Sequence, residues 1–143
     1  MNNFTKSSTL ERTKMESLFE KFNVINYSFT SEDSYEQHDG IFTNSRDENI
    51  IFEVKVRNVP SNRYSTTVIE ESKYNYLMNQ KDKVPFIFIF FSDGTYFPHK
   101  LEETNNYKRT TMSAPKTTAG DQTKILKQFV EIPIKINQIY KQK

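Results

Sequence analysis

The segment Val84–Phe91 constrains the fold more than any other part of the sequence. Its residues, Val-Pro-Phe-Ile-Phe-Ile-Phe-Phe, show no alternation of polar and apolar side chains. Successive side chains of a strand point to opposite faces, so a strand without alternation is buried on both faces. Such a strand requires helices, or a shell of comparable thickness, on both sides of its sheet. The sequence therefore predicts an α/β fold.

The segments around this strand predict how its sheet is connected. Residues 49–56 alternate between two faces and are predicted as a strand, whereas residues 65–79 carry apolar side chains at helical spacing. A helix between two strands favours a parallel crossover, so we expect 49–56 to run parallel to the Val84–Phe91 strand. Residues 24–29 and 37–43 are predicted as two more strands, and their short links favour an antiparallel meander with 49–56.

A first helix and a hairpin complete the predicted core. The helix begins at Ser8 or Thr9 and ends at Phe22, and one of its stripes contains Glu11, Met15, Leu18 and Phe22. The turn Ser92–Thr95 leads into a further strand. We therefore predict one domain, residues 1–143, with a mixed β-sheet, helices on both faces and the order αβββαβ.

The C-terminal region is predicted to be a long basic loop, residues 101–128, followed by a strand at 129–136 in which Pro133 favours an edge position. Residues 1–99 contain 11 basic and 14 acidic side chains, whereas residues 100–143 contain 9 and 4. An acidic region joined to a basic one suits a metal site that must also hold a polyanion. The basic residues predicted to contact nucleic acid are Lys108, Arg109, Lys116, Lys124 and Lys127.

Composition limits the chemistry that the chain can perform. It has no cysteine and two histidines, His38 and His99, which excludes a thiolate zinc site and a cysteine nucleophile. Oxygen ligands remain, and these favour magnesium, manganese or calcium. The first residues lack the apolar core of a signal peptide, and the longest apolar run is too short to span a bilayer. We expect a cytoplasmic protein without membrane contact.

Two acids and a lysine at one end of the predicted sheet form a candidate metal site. Glu53 and Lys55 share one face of the 49–56 strand, and Asp39 lies on the strand expected to pair with it. Asp39 and Glu53 are predicted metal ligands, with the Val54 carbonyl as a neutral third. Lys55 is predicted to orient or help deprotonate the attacking water in phosphodiester hydrolysis. Glu11 is predicted to complete the acidic cluster as an accessory metal ligand.

These residues follow a fixed order along the chain: Glu11 on a helix, Asp39 on a strand and Glu53-Val54-Lys55 on the next strand. This order resembles the PD-(D/E)XK nuclease superfamily, above all its Holliday-junction-resolvase-like and small phage or mobile-element members. The resemblance covers roughly residues 8–100. It implies magnesium- or manganese-dependent cleavage of DNA and often a homodimer. Some branches of the superfamily use a lysine from the helix after the Glu-x-Lys strand, and Lys73 is the matching position. His38 stands where the motif name has proline.

Simpler interpretations of the same residues remain open. Glu53 and Lys55 could be the solvated face of an ordinary strand, and Glu11 could complement the dipole of its helix. Lys73 could extend along the helix surface into solvent. The alternative function is a non-catalytic nucleic-acid-binding or assembly module of a phage or mobile-element complex. A sequence-specific restriction nuclease is disfavoured, because a domain of this size has little beyond the basic region to contact bases.

Overall fold

The fold is described from a computed structural model, which covers residues 3–31, 37–103, 107–115 and 123–142, with side chains from Thr9 onward. Its elements, in chain order, are α1 (Asn3–Lys21), β1 (Tyr27–Phe29), β2 (Gly40–Thr43), β3 (Asn49–Val56), β4 (Thr66–Glu70), α2 (Glu71–Met78), β5 (Val84–Phe90), β6 (Thr95–Lys100), β7 (Lys108–Pro115), β8 (Lys124–Pro133), a 3₁₀ turn (Ile136–Gln138) and β9 (Tyr140–Lys141).

The larger sheet has six strands in the order β1-β2-β3-β5-β6-β9. Strands β1, β2 and β3 form an antiparallel meander, and β5 and β6 form an antiparallel hairpin. Strands β3 and β5 are parallel, with Ile50 beside Val84 and Val56 beside Phe90. The meander, the crossover and the hairpin predicted from the sequence are therefore confirmed, and the sheet is mixed.

Each face of the large sheet has its own hydrophobic core. Helix α1 covers one face, where Met15 and Phe19 pack against Phe52, Val54 and Phe90. On the other face, side chains of α2 and of a second sheet cover the strands; this core contains Ile51, Ile69, Tyr74, Leu77, Ile87, Ile89, Val130 and Ile132. Because β5 contributes to both cores, it is buried on both faces as predicted, and the α/β fold is confirmed.

The second sheet corrects the prediction for the C-terminal region. Strands β4, β8 and β7 form a three-stranded antiparallel sheet in the order β4-β8-β7. The predicted loop over residues 101–128 is thus wrong, because 108–115 and 124–128 belong to paired strands. Polar and apolar residues do not alternate along either segment, so the sequence carried no clear strand signal there. Pro133 is not on an edge strand: it is the last residue of the central strand β8, beyond the end of its pairing with β7.

The second predicted helix began too early. Thr66, Thr67, Val68 and Ile69 form β4, and α2 starts only at Glu71. All four side chains are β-branched, a type that packs well on a pleated sheet, and a strand partner from the distant segment β8 makes the extended conformation the stable one. Phe22 was also placed wrongly on the buried stripe, since it follows the end of α1 and is 58% exposed.

Neither helix in the described part of the chain is both long enough and apolar enough to cross a membrane.

Candidate active site

A buried carboxylate on β3 lies at the centre of the candidate site. Glu53 is only 3% exposed, and its neighbours along the strand, Phe52 and Val54, are apolar. The Nζ atom of Lys73 lies 3.3 Å from Glu53 Oε1, and that of Lys55 lies 3.8 Å from the same oxygen. Both ammonium groups compensate the cost of burying the carboxylate. Glu53 is thus held inside the protein in contact with two lysines.

Asp39 is held against β3 by the backbone. Its N–H donates to the Phe52 carbonyl at 2.9 Å, and its Oδ2 accepts the Val54 N–H at 2.6 Å. The strand pairing between β2 and β3 ends at Gly40 and Phe52. Beyond this point the Val54 N–H donates to the Asp39 side chain instead of to a backbone carbonyl of β2. The N–H and C=O of a strand residue point to the same side. The Val54 carbonyl therefore faces the open edge where Asp39 lies.

The carboxyl groups of Glu11, Asp39 and Glu53 interact electrostatically at this edge of β3. Burial and the nearby Glu53 raise the pKa of Asp39 to about 8, against the opposing effect of the Val54 N–H. Burial and Glu53 also raise the pKa of Glu11 to about 7, with Lys55 and Lys73 opposing. Negative charge is therefore costly here without a further cation. A divalent cation would remove this cost.

The donor set at this edge fits a hard cation. The carboxylates of Asp39 and Glu53 and the Val54 carbonyl are oxygen ligands of the kind that magnesium and manganese prefer. Among the described residues, however, no three acidic or histidine side chains come close enough together to form a ligand group by themselves. Glu11 interacts with Glu53 through its charge, and its role as a metal ligand stays a prediction. Two carboxylates and a carbonyl suffice for magnesium, which usually keeps several water ligands in its sites.

Lys73 reaches the site from the first turns of α2. Burial alone lowers its pKa, but the Glu53 and Asp39 carboxylates outweigh this and raise it above the ordinary value, so the ammonium stays charged. The side chain therefore does not extend freely into solvent. Next to it on α2, the Tyr76 hydroxyl lies 3.2 Å from Nδ1 of His38, which fixes the chain just before Asp39.

Arg57 belongs to the same site but was missed in the sequence. It follows β3 and continues the row of Glu53 and Lys55 on one strand face. Burial lowers its pKa, while the charges of Glu11 and Glu53 raise it. The period of two along 53, 55 and 57 was the signal that could have found it.

The basic residues predicted to contact nucleic acid lie in different surroundings. Lys108 and Lys124 are exposed at the ends of β7 and β8. The Arg109 Nε atom lies 3.1 Å from Glu71 Oε2, and Lys127 Nζ lies 3.1 Å from Glu70 Oε1, so both are engaged in ion pairs within the protein. Lys116 lies outside the described residues. Lys108 and Lys124 lie at opposite ends of the paired strands β7 and β8, and their contact with nucleic acid stays a prediction.

The raised pKa values predict how metal-free protein responds to pH. The pKa of Asp39 is about 8 in the folded state against an ordinary 3.8, and that of Glu11 is about 7 against 4.5. Between the ordinary and the raised pKa values, the folded state therefore binds more protons than the unfolded state. The free energy of unfolding should therefore fall by several kcal/mol as pH rises from about 5 to about 8. Urea unfolding without divalent cations measures this slope.

The variant Asp39→Asn should flatten that slope, because the amide does not ionise. Asp47→Asn, in the exposed turn between β2 and β3, is the matched control and should leave the slope as in the wild type. A slope that Asp39→Asn leaves unchanged would contradict the assignment of a buried, protonated Asp39.

Comparison with known proteins supports the fold. No family model matches the chain, and no curated protein matches its sequence. Among solved structures, it is similar to Hjc of Archaeoglobus fulgidus, a Holliday junction resolvase from an archaeal hyperthermophile. The match covers 87% of this chain and 87% of that chain, with a TM-score of 0.51 and 13% sequence identity. The fold that the PD-(D/E)XK resemblance implied is thereby confirmed.

Proposed function

We propose that this protein is a metal-dependent endonuclease that hydrolyses DNA phosphodiester bonds, selecting substrates by structure more than by sequence. One observation carries the proposal: Asp39 and Glu53 come from separate segments and meet on β3, where Val54 links them and two lysines flank Glu53. An ordinary solvated strand face does not bury a glutamate to 3% exposure. A nuclease fold with this arrangement is best explained by phosphodiester chemistry.

Each residue has a distinct role in this proposal. Asp39, Glu53 and the Val54 carbonyl would hold magnesium or manganese, which supplies charge neutralisation at the phosphate and a more acidic bound water. Lys55 would orient the attacking water and stabilise the charge that develops on the phosphate. Lys73 keeps the Glu53 carboxylate in place. Glu11 adds negative charge, which strengthens the attraction for the cation.

The partner in this proposal is DNA, bound through phosphate contacts from the exposed Lys108 and Lys124, with Lys116 as a further candidate. Such contacts predict binding that weakens as salt increases. A homodimer, a cytoplasmic location and an origin in a phage or mobile element remain predictions from the sequence and from the resemblance.

A non-catalytic nucleic-acid-binding or assembly module is the second candidate. It is favoured by the absence, among the described residues, of a complete group of acidic or histidine ligands. This alternative predicts salt-dependent DNA binding without turnover and no effect of Asp39 substitutions. The first candidate predicts cleavage that needs the divalent cation.

A panel of labelled DNAs, comprising four-way junction, flap, gapped and linear duplexes, tests the proposal directly. Purified protein should cleave at least one branched substrate with magnesium or manganese and none after chelation with EDTA. Asp39→Asn should abolish this cleavage. Uncut DNA under all these conditions, with binding retained, would establish the second candidate instead.

Lys73→Met should reduce cleavage by about tenfold to a hundredfold, because the Glu53 carboxylate loses the cation that holds it. Lys83→Met is the matched control, since Lys83 pairs only with the neighbouring exposed Asp82 among the described residues. Equal cleavage by both variants would exclude a role of Lys73 in the site.

A further inference from the structure

The surface beside the candidate active site contains a cavity of about 430 Å³ that the proposed chemistry does not use. It lies between the end of β3, the following loop and the edge strand β4. Its lining includes Arg57, Val59, Tyr64, Phe91, Met112 and Ile134. The walls are thus mainly apolar and aromatic, with one guanidinium at the side nearest the metal ligands. Small organic groups bind in sites of this size and character.

Arg57 links this cavity to the site. It follows Glu53 by two strand repeats of about 6.8 Å each, on the same face. Among the described residues its guanidinium makes no side-chain hydrogen bond or ion pair, whereas Arg12 and Arg109 are both hydrogen-bonded. Its nitrogens are not fully buried, so a ligand can reach them from solvent. A half-buried arginine with accessible donors is suited to an anion that comes from outside.

The loop that forms the opposite wall is held in place. The backbone N–H and the hydroxyl of Ser61 both donate to Asp93 Oδ2, at 2.9 and 2.8 Å. The Ser92 N–H donates to the Val59 carbonyl at 3.0 Å. These bonds tie the loop to the β5–β6 turn, so the cavity does not need to be created by a ligand.

Tyr64 offers a flat surface at this wall. The residue is 59% exposed, and the Arg63 guanidinium lies 5.6 Å from the ring centroid. An exposed tyrosine backed by an arginine is a typical stacking platform for a nucleobase. Arg57 and Tyr64 thus line the same cavity, and Arg57 lies one strand repeat beyond Lys55.

We propose that this cavity binds an unpaired nucleobase of the DNA strand that is cut, with Arg57 on the phosphate next to the scissile one and Tyr64 stacked on the base. The inference rests on the proposed function and extends it to the substrate class. Bases within a duplex are stacked and cannot enter such a cavity without being extruded. The preferred substrates are therefore DNAs with an unpaired or splayed nucleotide beside the cleaved bond, such as flaps, gaps and junctions.

The test uses two experiments on the same DNA. Wild-type protein with magnesium first maps the cleaved bond. The cleavage-deficient variant Glu53→Gln is then bound, with calcium, to copies of that DNA carrying the fluorescent base 2-aminopurine at single positions around the bond. The fluorescence of 2-aminopurine increases when this base unstacks from its neighbours. We expect one position, within two nucleotides of the cleaved bond, to brighten at least about threefold on binding.

Second substitutions in the Glu53→Gln background identify the cavity as the cause. Tyr64→Ala and Arg57→Gln should each remove the brightening and weaken binding of the branched DNA about tenfold or more. Tyr64→Phe keeps the stacking surface and should keep the signal. Tyr140→Ala, an exposed tyrosine at the other edge of the large sheet, and Arg46→Ala, an exposed arginine in the β2–β3 turn, are the controls and should behave as the parent variant.

Three results would overturn the inference in distinguishable ways. Cleavage without brightening at any position would leave the nuclease intact and remove the base site. Brightening that survives both Tyr64→Ala and Arg57→Gln would show that the base is held elsewhere. If the wild type cuts none of the DNAs, the proposed function fails, and the base site fails with it.

Discussion

Replacing Glu53 by glutamine should reduce DNA cleavage by about a thousandfold or more. The amide keeps the shape of the side chain but removes the negative charge that the divalent cation needs. It also leaves the ammonium groups of Lys55 and Lys73 facing each other without the carboxylate that both contact. Single-turnover cleavage of a branched DNA at saturating magnesium is the measurement, because it separates the chemical step from product release.

A matched control separates the loss of charge at the site from the loss of charge in general. Glu131→Gln makes the same chemical change on the second sheet, away from the site, and should cleave as the wild type does. Thermal unfolding should show that Glu53→Gln remains folded, because the isosteric amide leaves no cavity. Cleavage within about tenfold of the wild type would contradict a ligand role for Glu53.

Replacing Gly40 by alanine should destabilise the protein by about 2–4 kcal/mol and weaken metal binding. A Cβ atom at this position would lie 2.6 Å from the Ser28 carbonyl oxygen and 2.6 Å from the Phe52 ring. One of these contacts is backbone and the other is a fully buried core side chain, so neither gives way easily. Since Asp39 precedes Gly40 directly, any shift of β2 also moves the carboxylate away from Val54.

Gly94→Ala is the control for this prediction, because Gly94 is favoured by its backbone conformation and not by close packing. Gly94 has a φ of +77°, and nothing lies within 4 Å of a Cβ built there. Its cost should be limited to about 1 kcal/mol of backbone strain, without any effect on metal binding. Urea unfolding and a manganese titration on both variants make the comparison. Equal losses for the two would mean that Gly40 does not position Asp39.

Local patterns in the sequence predicted the core of the fold. The uninterrupted apolar strand β5 and the alternation along β3 are visible in short windows of sequence, and both elements end within a residue of their predicted bounds. The order αβββαβ followed from the links between them. The same alternation placed Glu53 and Lys55 on one face, and the structure adds that this face is buried at Glu53.

The second sheet could not be predicted in the same way, because its strands depend on partners far along the chain. Strand β4 pairs with β8, some 60 residues later, as in the pair Ile69 and Val130. A short β-branched segment next to a helix fits either state until such a partner is known. The contact between Lys73 and Glu53 is equally non-local, since it depends on where the crossover places α2 over the sheet. Arg57 lies one residue beyond the end of β3 and outside the Glu-x-Lys motif, so only the alternation of positions 53, 55 and 57 pointed to it.

The binding of manganese in a crystal tests the central claim most directly. Crystals soaked in manganese should show an anomalous peak within about 2.0–2.4 Å of carboxylate oxygens of Asp39 and Glu53 and of the Val54 carbonyl. The peak should be absent from crystals of Asp39→Asn. Ordered wild-type crystals in which this edge of β3 holds no manganese at saturating concentration, while DNA is left uncut, would contradict the proposed metal-dependent hydrolysis.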